Sequence, residues 1–194
     1  MRTATVERIT KETAIRLIMD LDGQGSFCGS CGLGFFDHML LLFCRHSLID
    51  LTLDMKGDLQ VDGHHSIEDL GLAMGGALAS ALGDKAGLCR YGSVILPMDE
   101  ALIMTAVDLS GRAYLAADLD IPSPMIGDFA SELLVEFLRA FVSAAGLTLH
   151  IRQLAGANSH HIIEGVFKSL ARTLRVAASP DARETGVPSS KGVL

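Results

Sequence analysis

The pattern His-His-x-x-Glu occurs twice in the chain, at His64-His65-Ser66-Ile67-Glu68 and at His160-His161-Ile162-Ile163-Glu164, 96 residues apart. On a helix, residues three and four apart share a face, so Glu68 is within reach of His65 and His64, and Glu164 of His161 and His160. Imidazole with carboxylate is a donor set for Mn, Fe, Zn or Ni, and the absence of a thiolate from the pattern argues against a softer metal. Neighbouring helical residues point about 100° apart, so one ion does not easily take both histidines and the glutamate. Two copies resolve this. Each ion can take one His and the Glu from one half, and the other His from the partner half. His38, in Phe35-Phe36-Asp37-His38-Met39-Leu40, and His150, after Leu147-Thr148-Leu149, bring the set to six His and two Glu. That is four protein ligands for each of two ions. His46 is left over and reads as structural, or as support behind the ligands.

The elements that must position these groups repeat with them. The same offset lays Leu51-Thr52-Leu53 on Leu147-Thr148-Leu149 and Leu78 on Leu174. Apolar patterning and turn residues predict strands at 6–10 and 14–21, a glycine-rich loop at 23–34, a helix at 35–46, a strand at 48–55 and a helix at 66–82. The second half predicts strands at 94–98 and 101–109, a Pro-containing loop, a helix at 130–145, a strand at 147–151 and a helix at 161–176. Glu12 and Glu100 each precede a strand, and those strands end Asp20-Leu21-Asp22-Gly23 and Asp108-Leu109-Ser110-Gly111. Each half reads strand, strand, helix, strand, helix. The expectation is a single α/β domain, an α+β sandwich of two duplicated half-domains (about 1–86 and 87–178) related by a pseudo-two-fold. Residues 179–194 form a polar tail, expected to be mobile unless a ligand orders it.

Composition narrows the function classes. A net charge of −7 disfavours a nucleic-acid footprint, which needs clustered basic excess. The apolar run at 39–44 is far shorter than the ~20 residues a bilayer span needs, and the N-terminal residues lack the apolar core of a signal peptide. The expectation is therefore a cytoplasmic protein with no membrane contact. Cys28-Gly29-Ser30-Cys31 has metal-ligand spacing, but Cys44 and Cys89 supply no second pair, so these read as free thiols in a loop.

Longer motifs carry a family resemblance. The segments Arg8-Ile9-Thr10-Lys11-Glu12-Thr13, Gly34-Phe35-Phe36-Asp37-His38-Met39-Leu40, Asp62-Gly63-His64-His65-Ser66-Ile67-Glu68-Asp69, Pro97-Met98-Asp99-Glu100-Ala101-Leu102 and Asp108-Leu109-Ser110-Gly111-Arg112 occur in order. They are followed by 147–156, by 158–164 and by Pro188-Ser189-Ser190-Lys191-Gly192. Together they resemble the imidazoleglycerol-phosphate dehydratases, lyases of histidine biosynthesis, over nearly the whole chain. The resemblance implies a dimanganese enzyme, two Mn²⁺ per subunit, with ligands at His38, His64, His65, Glu68, His150, His160, His161 and Glu164. It implies a hollow homo-oligomer of 24 subunits built from trimers, with active sites at subunit contacts. Arg90, Arg112, Lys168, Ser189 and Lys191 match its phosphate-binding positions, and Glu12 its catalytic glutamate, with Asp99 second. Leu41 and Leu42 depart from it, standing where the family usually has a polar residue and Gln.

The implied substrate is a small phosphorylated imidazole bearing two hydroxyls, and its loss of water needs a proton taken from a carbon that no carbonyl acidifies. The ring is the electron sink. Metals on its two nitrogens would make the imidazolate accessible; expulsion of the adjacent hydroxyl gives a diazafulvene whose neighbouring C–H a carboxylate can remove. Two other readings fit a dimetal site: a hydrolase of a phosphorylated small molecule, and a non-catalytic cluster that joins subunits.

Overall fold

The computed structural model describes residues 2–194 and holds ten strands and four helices in the order of a repeat. The first half is β1 (Thr3–Ile9), β2 (Thr13–Asp20), β3 (Phe27–Gly29), α1 (Gly34–Ser47), β4 (Asp50–Gly57) and α2 (His64–Leu82). The second is β5 (Tyr91–Met98), β6 (Ala101–Asp108), β7 (Tyr114–Asp118), a small hairpin of β8 (Met125–Ile126) and β9 (Phe129–Ala130), α3 (Leu133–Ala145), β10 (Thr148–Ala155) and α4 (Ser159–Ala177).

The two main sheets share one connectivity, β1-β2-β4-β3 in the first half and β5-β6-β10-β7 in the second. In each, three antiparallel strands end in a parallel edge strand. Strand alternation sets which face is covered. Ile15, Leu17 and Met19 of β2 are buried while Ala14 and Arg16 face outward; Leu149 and Ile151 of β10 are buried while His150 and Arg152 face outward. The helices lie inside: α2 rests on β1 and β2, and α4 on β5 and β6.

The halves interlock through their helices. α2 packs on α3 and α1 on α4, so each inter-helix contact joins one half to the other. Gly71 and Gly75 set the α2–α3 approach. A side chain at Gly71 would come within 2.7 Å of the Phe137 carbonyl oxygen and 2.8 Å of the Ala140 methyl, and one at Gly75 would strike the Phe141 carbonyl. Between α1 and α4, Phe36 meets Phe167 edge-on at 5.4 Å, next to Phe137 and Phe129. These aromatics form the centre of one continuous core.

The expected strand–helix repeat is present, with additions. β3 and β7 were not anticipated: each is a short edge strand aligned only through parallel pairing, Phe27 and Cys28 with Leu51 and Thr52, and Tyr114 and Leu115 with Thr148 and Leu149. The third helix, expected from residue 130, begins at Leu133, and Ala130 instead ends a β8–β9 hairpin over 125–130 that was not anticipated. α2 and α4 each start earlier than expected, at His64 and Ser159, so all four paired histidines sit in first helical turns. All four cysteines are free; Cys28 lies exposed on β3, while burial pushes the Cys31 thiol well above its ordinary range. Among the described residues no helix is long and apolar enough to cross a membrane.

Candidate metal centre

The four helix N-termini meet at one end of the molecule. Gly63, at the start of α2, leaves room for the side chains of Leu33 and Leu133 at the starts of α1 and α3. The His160 ring of α4 lies 5.1 Å from Phe35 of α1. Helix N-termini carry partial positive charge, which favours carboxylates at this end.

Two local devices place the ligands there. Asn158 caps α4: its side-chain oxygen accepts from the backbone N–H of His160 at 2.9 Å and of His161 at 3.4 Å. α1, which carries His38, has no cap of its own. Asp128, from the turn of the β8–β9 hairpin in the other half, accepts from the N–H groups of Gly34 at 2.6 Å and Phe35 at 3.1 Å.

His38 of α1 comes together with His160 and Glu164 of α4, their donor atoms all within 4.8 Å of one another. Two imidazoles and a carboxylate fit a borderline or hard divalent cation. His160 Nε2 is 3.1 Å and His38 Nε2 4.0 Å from Glu164 Oε2. The other carboxylate oxygen accepts from Lys168 Nζ at 2.5 Å. Burial acts to raise the Glu164 pKa, but the Lys168 hydrogen bond and charge, with His160, outweigh it and leave the carboxyl below its ordinary value.

The second histidine of each pair faces a hairpin turn. His65 Nδ1 is 2.9 Å from Asp58 Oδ2, and its Nε2 is 3.8 Å from Glu12 Oε1 in the β1–β2 turn. His161 Nδ1 is 2.7 Å from Glu100 Oε2, and its Nε2 is 3.7 Å from Asp99 Oδ2 in the β5–β6 turn. Glu12 and Asp99 therefore hold matching places opposite the outward ring nitrogen. The Asp58 hydrogen bond raises the His65 pKa, and the Glu100 hydrogen bond raises that of His161; Glu100 itself is held down to about 2, first by His161 and then by the Asn158 N–H.

Not every expected ligand joins these groups within one chain. His64 and Glu68 lie exposed on the first turns of α2. His150 lies on the outer face of the second sheet beside Tyr114, ring centres 5.6 Å apart, facing away from the helix layer. His46 sits behind the centre; burial and the charges of Lys168 and Arg172 lower its pKa.

Four of the five expected phosphate contacts do converge. Arg90, Arg112, Ser189 and Lys191 line one cavity of about 380 Å³. The tail is laid against it, with Arg90 donating to the Pro188 carbonyl at 2.6 Å and Gly87 to that of Gly186 at 2.8 Å. Arg90 is also paired with Asp108 at 2.7 Å and holds a left-handed φ of 67°, a conformation a non-glycine residue keeps only when its surroundings demand it. Lys168 stands apart from this cavity, at the Glu164 cluster.

The cavity and the histidines occupy opposite ends. The Arg90 N–H donates to Ala177 at the C-terminus of α4, whereas His160 opens that helix. The intervening 17 residues span roughly 26 Å at 1.5 Å each. The β5 strand, from Tyr91 beside the cavity to Met98 beside the Asp99 turn, spans roughly 23 Å.

The family model for imidazoleglycerol-phosphate dehydratase matches residues 31–174, a stretch containing all eight candidate ligands. The chain belongs to the imidazoleglycerol-phosphate dehydratase family. Its members are hydro-lyases of histidine biosynthesis. The enzyme of that name from Moorella thermoacetica is 54% identical over 193 residues, covering 100% of this chain and 98% of its relative. That of Dinoroseobacter shibae is 53% identical with both chains covered at 100%. The solved dehydratase from Staphylococcus aureus superposes with a TM-score of 0.84 at 36% identity, covering 92% of this chain and 99% of that one, and the Pyrococcus furiosus structure does so at 0.82 and 36%, covering 97% and 100%.

Within the family frame, Leu41 is exposed on α1 and Leu42 packs against the core. Asp58, Glu100 and Asp128 were missed as participants. Glu100 alone had a signal, its repeat relation to Glu12; acidic residues in turns are otherwise common and solvated.

Proposed function

We infer that this chain removes water from imidazole glycerol phosphate to give imidazole acetol phosphate, using two divalent ions per subunit, manganese in the first instance. The observation that carries this reading is the joint placement, at one end, of the His38–His160–Glu164 cluster and of His65 and His161, each facing a carboxylate across its outward nitrogen. A bound divalent ion supplies a Lewis acid for a ring nitrogen and favours loss of the ring proton, which makes the ring the electron sink.

The chain's own groups do the rest. His38, His160 and Glu164 hold one ion; His64, His65, Glu68, His150 and His161 complete the set of eight. The hydroxyl on the carbon beside the ring leaves together with the proton the ring gives up, as water; Glu12 takes the proton from the carbon that keeps its oxygen, and a carboxylic acid returns one to the carbon beside the ring as the enol becomes the ketone. Asp99 is the second candidate for that return. Arg90, Arg112, Ser189 and Lys191 bind the phosphate through charge-assisted hydrogen bonds. Lys168 keeps Glu164 ionised at the ligand cluster.

The separation of cavity from histidines supports an active site built between chains. Three carbons at about 1.5 Å per bond cannot join ends so far apart. The phosphate cavity of one subunit therefore serves the histidine cluster of another, in a closed homo-oligomer of the 24-subunit kind. His150, on an outer sheet face, reaches a centre the same way. The site of action is the cytoplasm.

The deciding experiment is turnover by chelator-stripped protein before and after Mn²⁺ addition. Activity returning only with metal, saturating near two ions per chain, is the expected result. Stoichiometric metal uptake without turnover would leave a structural cluster instead.

A further inference from the structure

The two halves hold their second histidine from behind, but with residues that are not repeat mates. In the second half Glu100, from the β5–β6 turn, takes Nδ1 of His161 at 2.7 Å. Its counterpart in the duplication is Glu12, which instead faces the other nitrogen of His65, Nε2, at 3.8 Å. The Nδ1 of His65 is taken at 2.9 Å by Asp58, which follows β4. The 96-residue offset puts Leu154, near the end of β10, at the place of Asp58, so no carboxylate is available there.

We propose that Asp58 and Glu100 are positioning residues that fix the tautomer of His65 and His161, and that recruitment of Asp58 freed Glu12 from this task for proton transfer. The inference rests on the metal reading above. A carboxylate only accepts, so a neutral imidazole bonded to it through Nδ1 carries its hydrogen there and presents the Nε2 lone pair outward. That is the form a metal takes, and such partners orient the ring as well as select the tautomer. Glu12 and Asp99, each close to 4 Å from Nε2 and too far to hydrogen-bond, sit across the position that lone pair addresses.

The anchors differ in a way that can be measured. The second oxygen of Glu100 is committed, accepting from the N–H of Asn158 at 2.9 Å and of Ala157 at 3.4 Å. In Glu100→Gln the amide oxygen stays on those two donors, and the NH₂ is turned onto His161 Nδ1. Nδ1 must then accept, the hydrogen moves to Nε2, and the ligand atom is lost. The second oxygen of Asp58 is buried with no hydrogen-bond partner. Asp58→Asn can therefore direct its oxygen at His65 and keep the tautomer.

The test is Mn²⁺ titration of the metal-free protein, with free Mn²⁺ read by electron paramagnetic resonance, for wild type, Glu100→Gln, Asp58→Asn, Asp58→Ala and His161→Ala. Glu100→Gln should weaken one ion by about 10- to 100-fold, with the melting temperature of the metal-free protein unchanged. Asp58→Ala should do the same at the other ion, and Asp58→Asn should stay close to wild type. Adding Glu100→Gln to His161→Ala should weaken binding no further, because Glu100 acts through that ring. Wild-type affinity in Glu100→Gln, or an additive double variant, would overturn the proposal while leaving the metal reading in place. Failure of wild type itself to take up two ions would remove the metal reading first.

Discussion

Glu12 and Glu100 occupy the same place in the repeat and face different nitrogens of the second histidine, one opposite Nε2 and the other on Nδ1. Their substitutions should separate accordingly. Glu12→Gln is expected to lower kcat by about 10²- to 10⁴-fold while leaving Mn²⁺ binding and assembly at wild-type levels, as seen by single-turnover assay alongside metal titration. A second prediction concerns Asp50, one side-chain oxygen of which accepts from the N–H groups of Ser26 at 2.7 Å, Gly25 at 2.8 Å and Gln24 at 2.9 Å. Those bonds, Ser26 first, hold its carboxyl below the ordinary value of 3.8. The sign follows: its contribution is fully present above pH ~4 and is lost as pH falls through the lowered native value. Asp50→Ala should destabilise by about 1–3 kcal/mol at neutral pH, since three N–H groups lose an acceptor, and the gap to wild type should close in acid melts.

At the level of elements, the centre depends on contacts that cross between halves. α1 meets α4 with its N-terminus capped by Asp128, 94 residues beyond Gly34, and with Phe129 stacked on Phe36 at 5.3 Å. Asp128→Ala should cost about 0.5–2 kcal/mol and should also weaken Mn²⁺ binding at the His38 cluster, which calorimetry and metal titration can read together. The α2–α3 crossing is tighter still. A valine at Gly71 meets backbone that cannot move aside, and the expected loss of about 1–3 kcal/mol corresponds to a fall in melting temperature of several degrees. The helices, six main-sheet strands and the repeat were legible because they are long enough to show a period. β3 and the β8–β9 hairpin were not, since two or three residues carry no period and their pairing comes from partners elsewhere in the chain.

For the whole molecule, the Arg90 cavity lies at the C-terminus of α4 and the His160 cluster at its N-terminus, and the proposed reading therefore needs one subunit's cavity to serve another's cluster. Co-assembly of Arg90→Ala with His160→Ala subunits should therefore recover activity that neither variant shows alone, because some contacts pair an intact cavity with an intact cluster. A mixed assembly as inactive as its components would require both ends to act within the same subunit.

The sequence by itself determined the chemistry available: two His-His-x-x-Glu motifs, on one half-domain written twice, in the motif order of one family. Amphipathic periods and i, i+3, i+4 spacing are local, so a linear reading reaches them. Only the tertiary structure decided that His38 joins His160 and Glu164, that His150 faces away, that Lys168 stands beside Glu164 and apart from the Arg90 cavity, and that Glu12 and Glu100 face different nitrogens. Each of those depends on how one half packs against the other, and on which face a strand turns outward, and packing between distant segments leaves no period in the chain.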